Sequence, residues 1–224
     1  MSRTRRWLPS RPRRQHATVA VAEAYRAWAP SYGESPNELQ QLEQASLCEL
    51  LPELTDRILL DVGCGRGRIG RLARSRGARR AIELDATLRM LALGPAETRL
   101  RLAAEATRLS LRDACCDVAV AGLVLGHVAD LAAALGELSR VLRHDGVLLV
   151  SDFHPYAHLH GWQRTFVDPA TGREAAIESH PHLLADYFTV FERLGWVVDA
   201  LREPTWEGIP VAFALRARRR GGGS

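Results

Sequence analysis

The stretch Asp61-Val62-Gly63-Cys64-Gly65-Arg66-Gly67 lies between a short apolar run, Arg57 to Val62, and a helical stretch that continues to Arg76. Glycines alternating at a strand-to-helix junction permit positive φ and let an adenosyl ligand approach the backbone without meeting a Cβ. A bare G-x-G-x-G also suits dinucleotide enzymes, so the surroundings must decide. Dinucleotide loops usually space their glycines G-x-G-x-x-G, and Ile69 followed by Gly70 shifts that register. Asp61, entering the loop, would repel a pyrophosphate but suits the ammonium group of a zwitterionic amino acid, directly or through water.

The rest of the chain repeats the strand-helix alternation. Gly77 closes the first helix and Arg79 to Leu84 predicts a second strand. A helix from about Ala86 to Leu93 ends at Gly94-Pro95, Arg99 to Ala103 is strand-like, and Asp117 to Leu123 has the composition of a strand buried on both faces. Asp130 is placed to cap a helix over Leu131 to Leu142, which Asp145-Gly146 separates from apolar Val147 to Val150. A helix over Leu183 to Leu194 and strands over Val197 to Leu201 and Val211 to Leu215 follow. Such alternation predicts a parallel sheet covered by helices on both faces. Two helices, over residues 18 to 29 and about 37 to 51, precede it, with Ser35-Pro36-Asn37 as a turn and possible cap.

At the end of the second strand, twenty residues beyond Gly63, the carboxylate of Glu83 is positioned to accept both ribose hydroxyls. Asp85 is the rival. Alternation sends both to one side, but Asp85 begins a helix and makes a plausible cap, which favours Glu83.

These segments resemble the class I S-adenosyl-L-methionine-dependent methyltransferases, in particular the small-molecule branch of ubiquinone, menaquinone and BioC-like enzymes. Leu60 to Gly67 is similar to that family's glycine-rich motif, Ile82-Glu83-Leu84-Asp85 to its ribose motif, and Ala104-Glu105-Ala106-Thr107-Arg108-Leu109 to its adenine segment. Ala24-Tyr25-Arg26-Ala27-Trp28-Ala29-Pro30-Ser31-Tyr32 resembles the amino-terminal Y-x-x-W-A-x-x-Y that covers the donor. The resemblance spans about Ala24 to Arg216 and implies a Rossmann-like α/β fold: an open seven-stranded, mostly parallel sheet with a C-terminal antiparallel strand, helices on both faces and an N-terminal helical cap. It implies S-adenosyl-L-methionine as cofactor, with S-adenosyl-L-homocysteine as product. The donor would be held by Tyr25, Tyr32, Asp61, Gly63, Cys64, Gly65, Gly67, Glu83, Leu84, Glu105, Ala106 and Leu123. Within that set Glu105 accepts from the adenine amino group and Ala106 supplies a backbone N–H to the ring. Two departures stand out: Gly126 occupies a position where this branch often has His, and His144-Asp145 replaces the common Pro-Gly lead.

Methyl transfer requires alignment more than covalent help, and a base only when the acceptor is a hydroxyl or an acidic carbon. His127, just past the fourth strand, is the leading base candidate. His154 and Tyr156, with Trp162, follow the fifth strand and are expected in the acceptor pocket. Residues 153 to 180 lose all periodicity, and an irregular segment of that length is where acceptor contacts are expected. Arg164 and Arg173 could attract a carboxylated acceptor. The histidines of this stretch have no recognisable ligand spacing, so no metal is expected.

The chain divides on composition into an Arg-rich tail, 1–16, one methyltransferase domain, 17–217, with a cap (17–53) and an acceptor-site insertion (153–182), and a flexible end, 218–224. Six arginines lie within residues 3 to 14 and four within 216 to 220, leaving twenty against twenty-six acids between. The net charge of +4 therefore belongs to the ends, and a nucleic-acid partner is not expected. No apolar run of eighteen residues exists, so membrane insertion is not expected and the protein is placed in the cytoplasm. Cys48, Cys64, Cys115 and Cys116 lack paired spacing and are expected as reduced thiols. The expected activity is methylation of an oxygen or carbon on a small acceptor, carboxylated or phenolic, by a monomer or homodimer. The alternatives are a nucleic-acid or protein methyltransferase, an inactive donor-binding partner protein, and a nicotinamide-dependent oxidoreductase.

Overall fold

A computed structural model of the chain describes residues 16–34, 37–94 and 100–220. The expectations for the Arg-rich tail up to residue 15, the Ser35-Pro36 turn, the break at Pro95 and the last four residues lie outside them.

The chain opens with β1 (Thr18–Val19), α1 (Val21–Trp28) and α2 (Glu38–Leu50). The Asn37 side chain accepts the Gln40 N–H at 3.0 Å, capping α2 as its sequence position suggests. There follow β2 (Ile58–Val62), α3 (Arg68–Ser75), β3 (Arg80–Asp85), α4 (Leu88–Ala92), β4 (Arg101–Ala103) and β5 (Cys116–Gly122). A 3₁₀ turn, Leu125–His127, leads to α5 (Leu131–Val141), capped by Asp130 onto the Ala133 N–H at 2.9 Å, and then to β6 (Leu142–Phe153). The chain ends with α6 (Pro155–Leu159), β7 (Thr165–Val167), β8 (Glu174–Ile177), α7 (Leu184–Arg193), β9 (Trp196–Arg202), a short hairpin of β10 (Thr205–Trp206) and β11 (Ile209–Pro210), and β12 (Ala212–Arg219).

Among the described residues seven strands form one sheet in the order β4-β3-β2-β5-β6-β12-β9, parallel from β4 to β6 and antiparallel at β12 and β9. This is the expected Rossmann-like sheet. Its central strands are buried on both faces, and side-chain alternation sorts them into two cores. Leu60, Ala119, Leu148 and Val150 face the side of α5 and α7. Leu59, Val118, Val120, Val147 and Leu149 face the side of α2 and α3.

Two expectations change. The segment 153–182 is not irregular throughout: β7 and β8 pair antiparallel, and β1 joins β8 in parallel, Thr18 opposite Ala176. This small sheet shares a separate apolar core with α1, built on Ala24, Trp28, Phe166, Ala175 and Ile177. The final strand also runs further than expected, since Arg218 pairs with both Val147 and Val197. No helix of the described residues is long and apolar enough to cross a membrane.

Candidate active site

The carboxyl ends of β2, β3 and β5 open into a cavity of about 600 Å³, roofed by α1 and α2. Eleven of the residues expected to contact the donor or acceptor line it: Tyr25, Tyr32, Asp61, Gly63, Cys64, Gly65, Glu105, Ala106, Leu123, His127 and Arg164. The Cys64 N–H donates to the Leu84 carbonyl at 2.9 Å, which stitches the glycine loop to β3, while the Leu84 side chain itself lies in the core. Gly63 has φ 69°, and a Cβ there would come within 2.5 Å of the Val124 side chain, so only glycine fits.

Asp61 is buried at the tip of β2, with Oδ2 accepting the Gly70 N–H at 3.2 Å. Burial outweighs the pull of nearby Arg68 and, with the like charge of Glu83, raises its carboxyl to about 7.

Glu83 does not line the cavity. Two residues before the end of β3, it is fully buried beneath α3, where its carboxylate meets Arg74 at 3.0 Å and Arg101 at 3.1 Å. Gly67 and Gly70 make room for it, since a Cβ on Gly70 would lie 2.0 Å from Glu83 Oε1. Of the two acids of β3, the one that lines the cavity is Asp85. Its Oδ2 accepts the Gly65 N–H at 2.8 Å and its Oδ1 the Thr87 N–H at 2.7 Å. The Thr87 hydroxyl also bonds to this carboxylate, and its remaining acceptor capacity faces the cavity.

Arg68 was not anticipated. It stands in the first turn of α3, where the helix dipole disfavours a cation, and is held there by Glu43 at 2.6 Å and Gln44 at 2.8 Å. Glu43 is itself buried and accepts from Ser151 Oγ on β6. The guanidinium thus faces the cavity beside Asp61, so one end of the site offers an anion and a cation to a zwitterion.

At the other end Arg164, just before β7, reaches inward. Its side chain is 12% exposed; Nη1 donates to the Leu123 carbonyl at 2.9 Å and Nη2 to the Tyr25 hydroxyl at 2.9 Å. Leu123 is held at φ 56°, a costly conformation for leucine that presents its carbonyl to Arg164. Asp152 lies 3.7 Å away, and its own oxygens take the Gly126 and Phe153 N–H groups. A Cβ at Gly126 would sit 3.0 Å from Asp152 Oδ1, so a histidine in its place would require the Asp152 carboxylate to give way by a few tenths of an ångström.

His127 has both ring nitrogens engaged. The Glu178 carbonyl, 2.9 Å from Nδ1, can only accept, so the proton resides on Nδ1. Nε2 therefore accepts the Tyr25 O–H at 3.0 Å, and Tyr25 in turn accepts from Arg164. Burial, reinforced by Arg164, lowers the imidazole well below its ordinary range, and burial raises the Tyr25 phenol. The chain Arg164, Tyr25, His127 is a neutral-ended relay whose basic lone pair is already occupied.

His154 and Tyr156 lie apart from the cavity. Strand β6 continues to Phe153 alongside β12, and the His154 N–H bonds to the Val211 carbonyl at 3.0 Å, carrying the chain outside the cavity into α6. His154 caps that helix and donates to Glu203 at 2.9 Å, while Tyr156 is half exposed beside His160. Among the described residues no group of three or more His, Cys, Asp or Glu side chains is placed to hold a metal ion.

The comparisons with known proteins fit this geometry. A family model described as a methyltransferase domain matches residues 60–150. The malonyl-[acyl-carrier protein] O-methyltransferase of Pseudescherichia vulneris is 33% identical over 202 residues, covering 88% of this chain and 73% of that protein. The enzyme of the same name from Pectobacterium atrosepticum is 33% identical over 131 residues, only 51% of its own length. The crystal structure of an S-adenosylmethionine-dependent methyltransferase from Mesorhizobium loti superposes with TM-score 0.68 at 23% identity, covering 81% of this chain and all of that one.

Proposed function

The chain belongs to the class I S-adenosyl-L-methionine-dependent methyltransferases, and from that membership we propose that it esterifies a carboxylate at the end of a small acyl acceptor. The residues present fit the donor. Asp61 and Arg68 oppose the charges of its amino-acid end, Asp85 has lone pairs for the ribose, Glu105 lines the cavity for the adenine amino group, and the backbone at Gly63 leaves space that a side chain would fill. When bound, S-adenosyl-L-methionine supplies a methyl group on a sulfonium, a leaving group that needs no acid.

The single observation carrying the acceptor class is Arg164: a guanidinium almost wholly buried on the cavity wall, whose ion pair with Asp152 is long at 3.7 Å and which hydrogen-bonds described residues through only two of its N–H groups. A buried cation with donors to spare suits a carboxylate, which can take two of them side by side. A carboxylate is also the nucleophile that needs no base. That agrees with His127, which is kept neutral with its lone pair given to Tyr25. His127 is then a positioning residue for Tyr25, and Tyr25 for Arg164. The relatives named as malonyl-[acyl-carrier protein] O-methyltransferases support the same class. The test is incubation with S-adenosyl-L-methionine and malonyl-coenzyme A. A methyl ester on the free carboxylate is the expected product by mass spectrometry; methylation of a phenol or amine panel in its place refutes the assignment.

Donor binding should depend on pH through Asp61. Its carboxyl, raised to about 7, is ionised above that pH and neutral below it, whereas the amino group of S-adenosyl-L-homocysteine stays charged. Affinity therefore falls as pH drops through 7, by roughly tenfold between pH 8 and pH 6. Isothermal titration at the two pH values should show this loss, and Asp61→Asn should flatten it.

A further inference from the structure

A buried anion and cation side by side attract one another before they attract a ligand. Asp61, on β2, and Arg68, in the first turn of α3, both line the donor cavity, yet no ion pair joins them among the described residues. Arg68 is drawn instead toward α2, where Glu43 Oε2 takes Nη2 at 2.6 Å and Gln44 Oε1 takes Nη1 at 2.8 Å. Glu43 is fully buried and does not line the cavity. Its other oxygen accepts from Ser151 on β6, and a Cβ on Gly122, at the end of β5, would crowd that oxygen at 3.0 Å. One and two turns further along α2, Leu47 and Leu50 pack in the same core as Val147 and Leu149 of β6 and Ala214 of β12, which fixes the helix that carries Glu43.

We infer that Glu43 is a positioning residue for donor recognition: from outside the cavity it holds the Arg68 guanidinium away from the Asp61 carboxylate, so that the donor's carboxylate and ammonium each meet an unspent partner. This rests on the reading that places the donor's amino-acid end between Asp61 and Arg68. The bonds to Glu43 and Gln44 occupy two of the N–H groups of Arg68 and leave others for a ligand carboxylate. Ser151 completes the arrangement by tying the second oxygen of Glu43 to the sheet. The acids that act on Arg68 are Glu43 and Asp61. With Glu43 neutral, Asp61 is the anion left beside the guanidinium, the two close on one another, and a donor must then separate them to bind.

Isothermal titration with two nucleosides tests this role: S-adenosyl-L-homocysteine, and 5′-methylthioadenosine, which lacks the charged amino-acid end. Glu43→Gln keeps the shape and a hydrogen-bonding oxygen but removes the charge. It is expected to raise the Kd of S-adenosyl-L-homocysteine at least tenfold and that of 5′-methylthioadenosine less than twofold, the second result also showing that the site is folded. Asp61 is faced by Arg68 of α3, Glu83 and Asp85 of β3 and the Cys64 thiol, and Arg68 by Glu43, Asp61 and the Tyr32 phenol. Closure of Arg68 on Asp61 favours the ionised carboxyl, so the fall in S-adenosyl-L-homocysteine affinity between pH 8 and pH 6 should shrink to less than threefold in Glu43→Gln. Glu43→Asp keeps the charge but draws it back by one methylene; its loss of S-adenosyl-L-homocysteine affinity should lie between those of the unaltered protein and Glu43→Gln, with the pH dependence retained. The role is overturned if neither variant weakens S-adenosyl-L-homocysteine selectively, or if the pH dependence of Glu43→Gln matches that of the unaltered protein. Arg68→Met separates the two levels. Unchanged S-adenosyl-L-homocysteine affinity in that variant refutes the placement of the amino-acid end, and with it the role of Glu43; a loss there without one in Glu43→Gln refutes the role of Glu43 alone.

Discussion

Replacing Arg164 with methionine should lower kcat/KM for a malonyl thioester about a thousandfold while leaving the Kd of S-adenosyl-L-homocysteine within threefold. Methionine fills much of the same volume, so the loss is of charge and hydrogen bonds rather than of packing. Removing one member of a desolvated charge pair costs about 2–5 kcal/mol, and a thousandfold corresponds to about 4 kcal/mol. The residue also holds two cavity groups in place, the Tyr25 hydroxyl and the carbonyl of strained Leu123. Lysine should restore little, because a point charge on a flexible stem reproduces neither bond in the fork geometry. A decrease smaller than tenfold for Arg164→Met would remove it from acceptor binding. Parallel collapse of donor binding would make it a structural residue.

The largest effect on stability is expected at Glu83. Its carboxylate is wholly buried between Arg74 and Arg101, which tie α3 and β4 to β3. Glu83→Ala leaves two guanidinium groups facing a buried gap, a class of change that costs about 3–5 kcal/mol. For a domain of this size that lowers Tm by roughly 10 °C. Below the transition, the affinity for S-adenosyl-L-homocysteine should be within threefold of the unaltered protein, since Glu83 does not line the cavity. A stable Glu83→Ala protein that has lost donor affinity would return the ribose role to Glu83.

Much of this arrangement is legible in the sequence because local chemistry dictates it. Glycines at a strand-to-helix junction mark the loop, Asn37 and Asp130 announce their helices by type and position, and strands buried on both faces appear as continuous apolar runs. The choice between Glu83 and Asp85 is not legible in that way. Alternation sends both to the same side, and what separates them is position along the strand: Glu83 lies two residues back from the end of β3, under Gly67 and Gly70, and is claimed by arginines nine residues before it and eighteen after. Arg74, Arg101 and Gly70 are the signals, and they point to Glu83 only once the helix is laid over the strand. The small sheet of β1, β7 and β8 escapes for a different reason. Its strands are two to four residues long, too short to show a period, and the parallel pair joins Thr18 to Ala176 across most of the chain. Following a strand end, His154 and Tyr156 look like acceptor residues, but β6 outruns its parallel neighbour β5, and β12 carries it past the cavity. Arg218 and Arg219 look like tail by composition, yet β12 continues through them and the Arg219 guanidinium lies 5.2 Å from the centre of the Trp196 ring.

The donor arrangement is tested most directly by a crystal structure of the protein with S-adenosyl-L-homocysteine. The predicted density places the ribose hydroxyls on the carboxylate of Asp85, the adenine beside Glu105 and Ala106, and the amino-acid end between Asp61 and Arg68. A ribose bonded to any other carboxylate, or a nucleoside seated outside the cavity at the carboxyl ends of β2, β3 and β5, would contradict it.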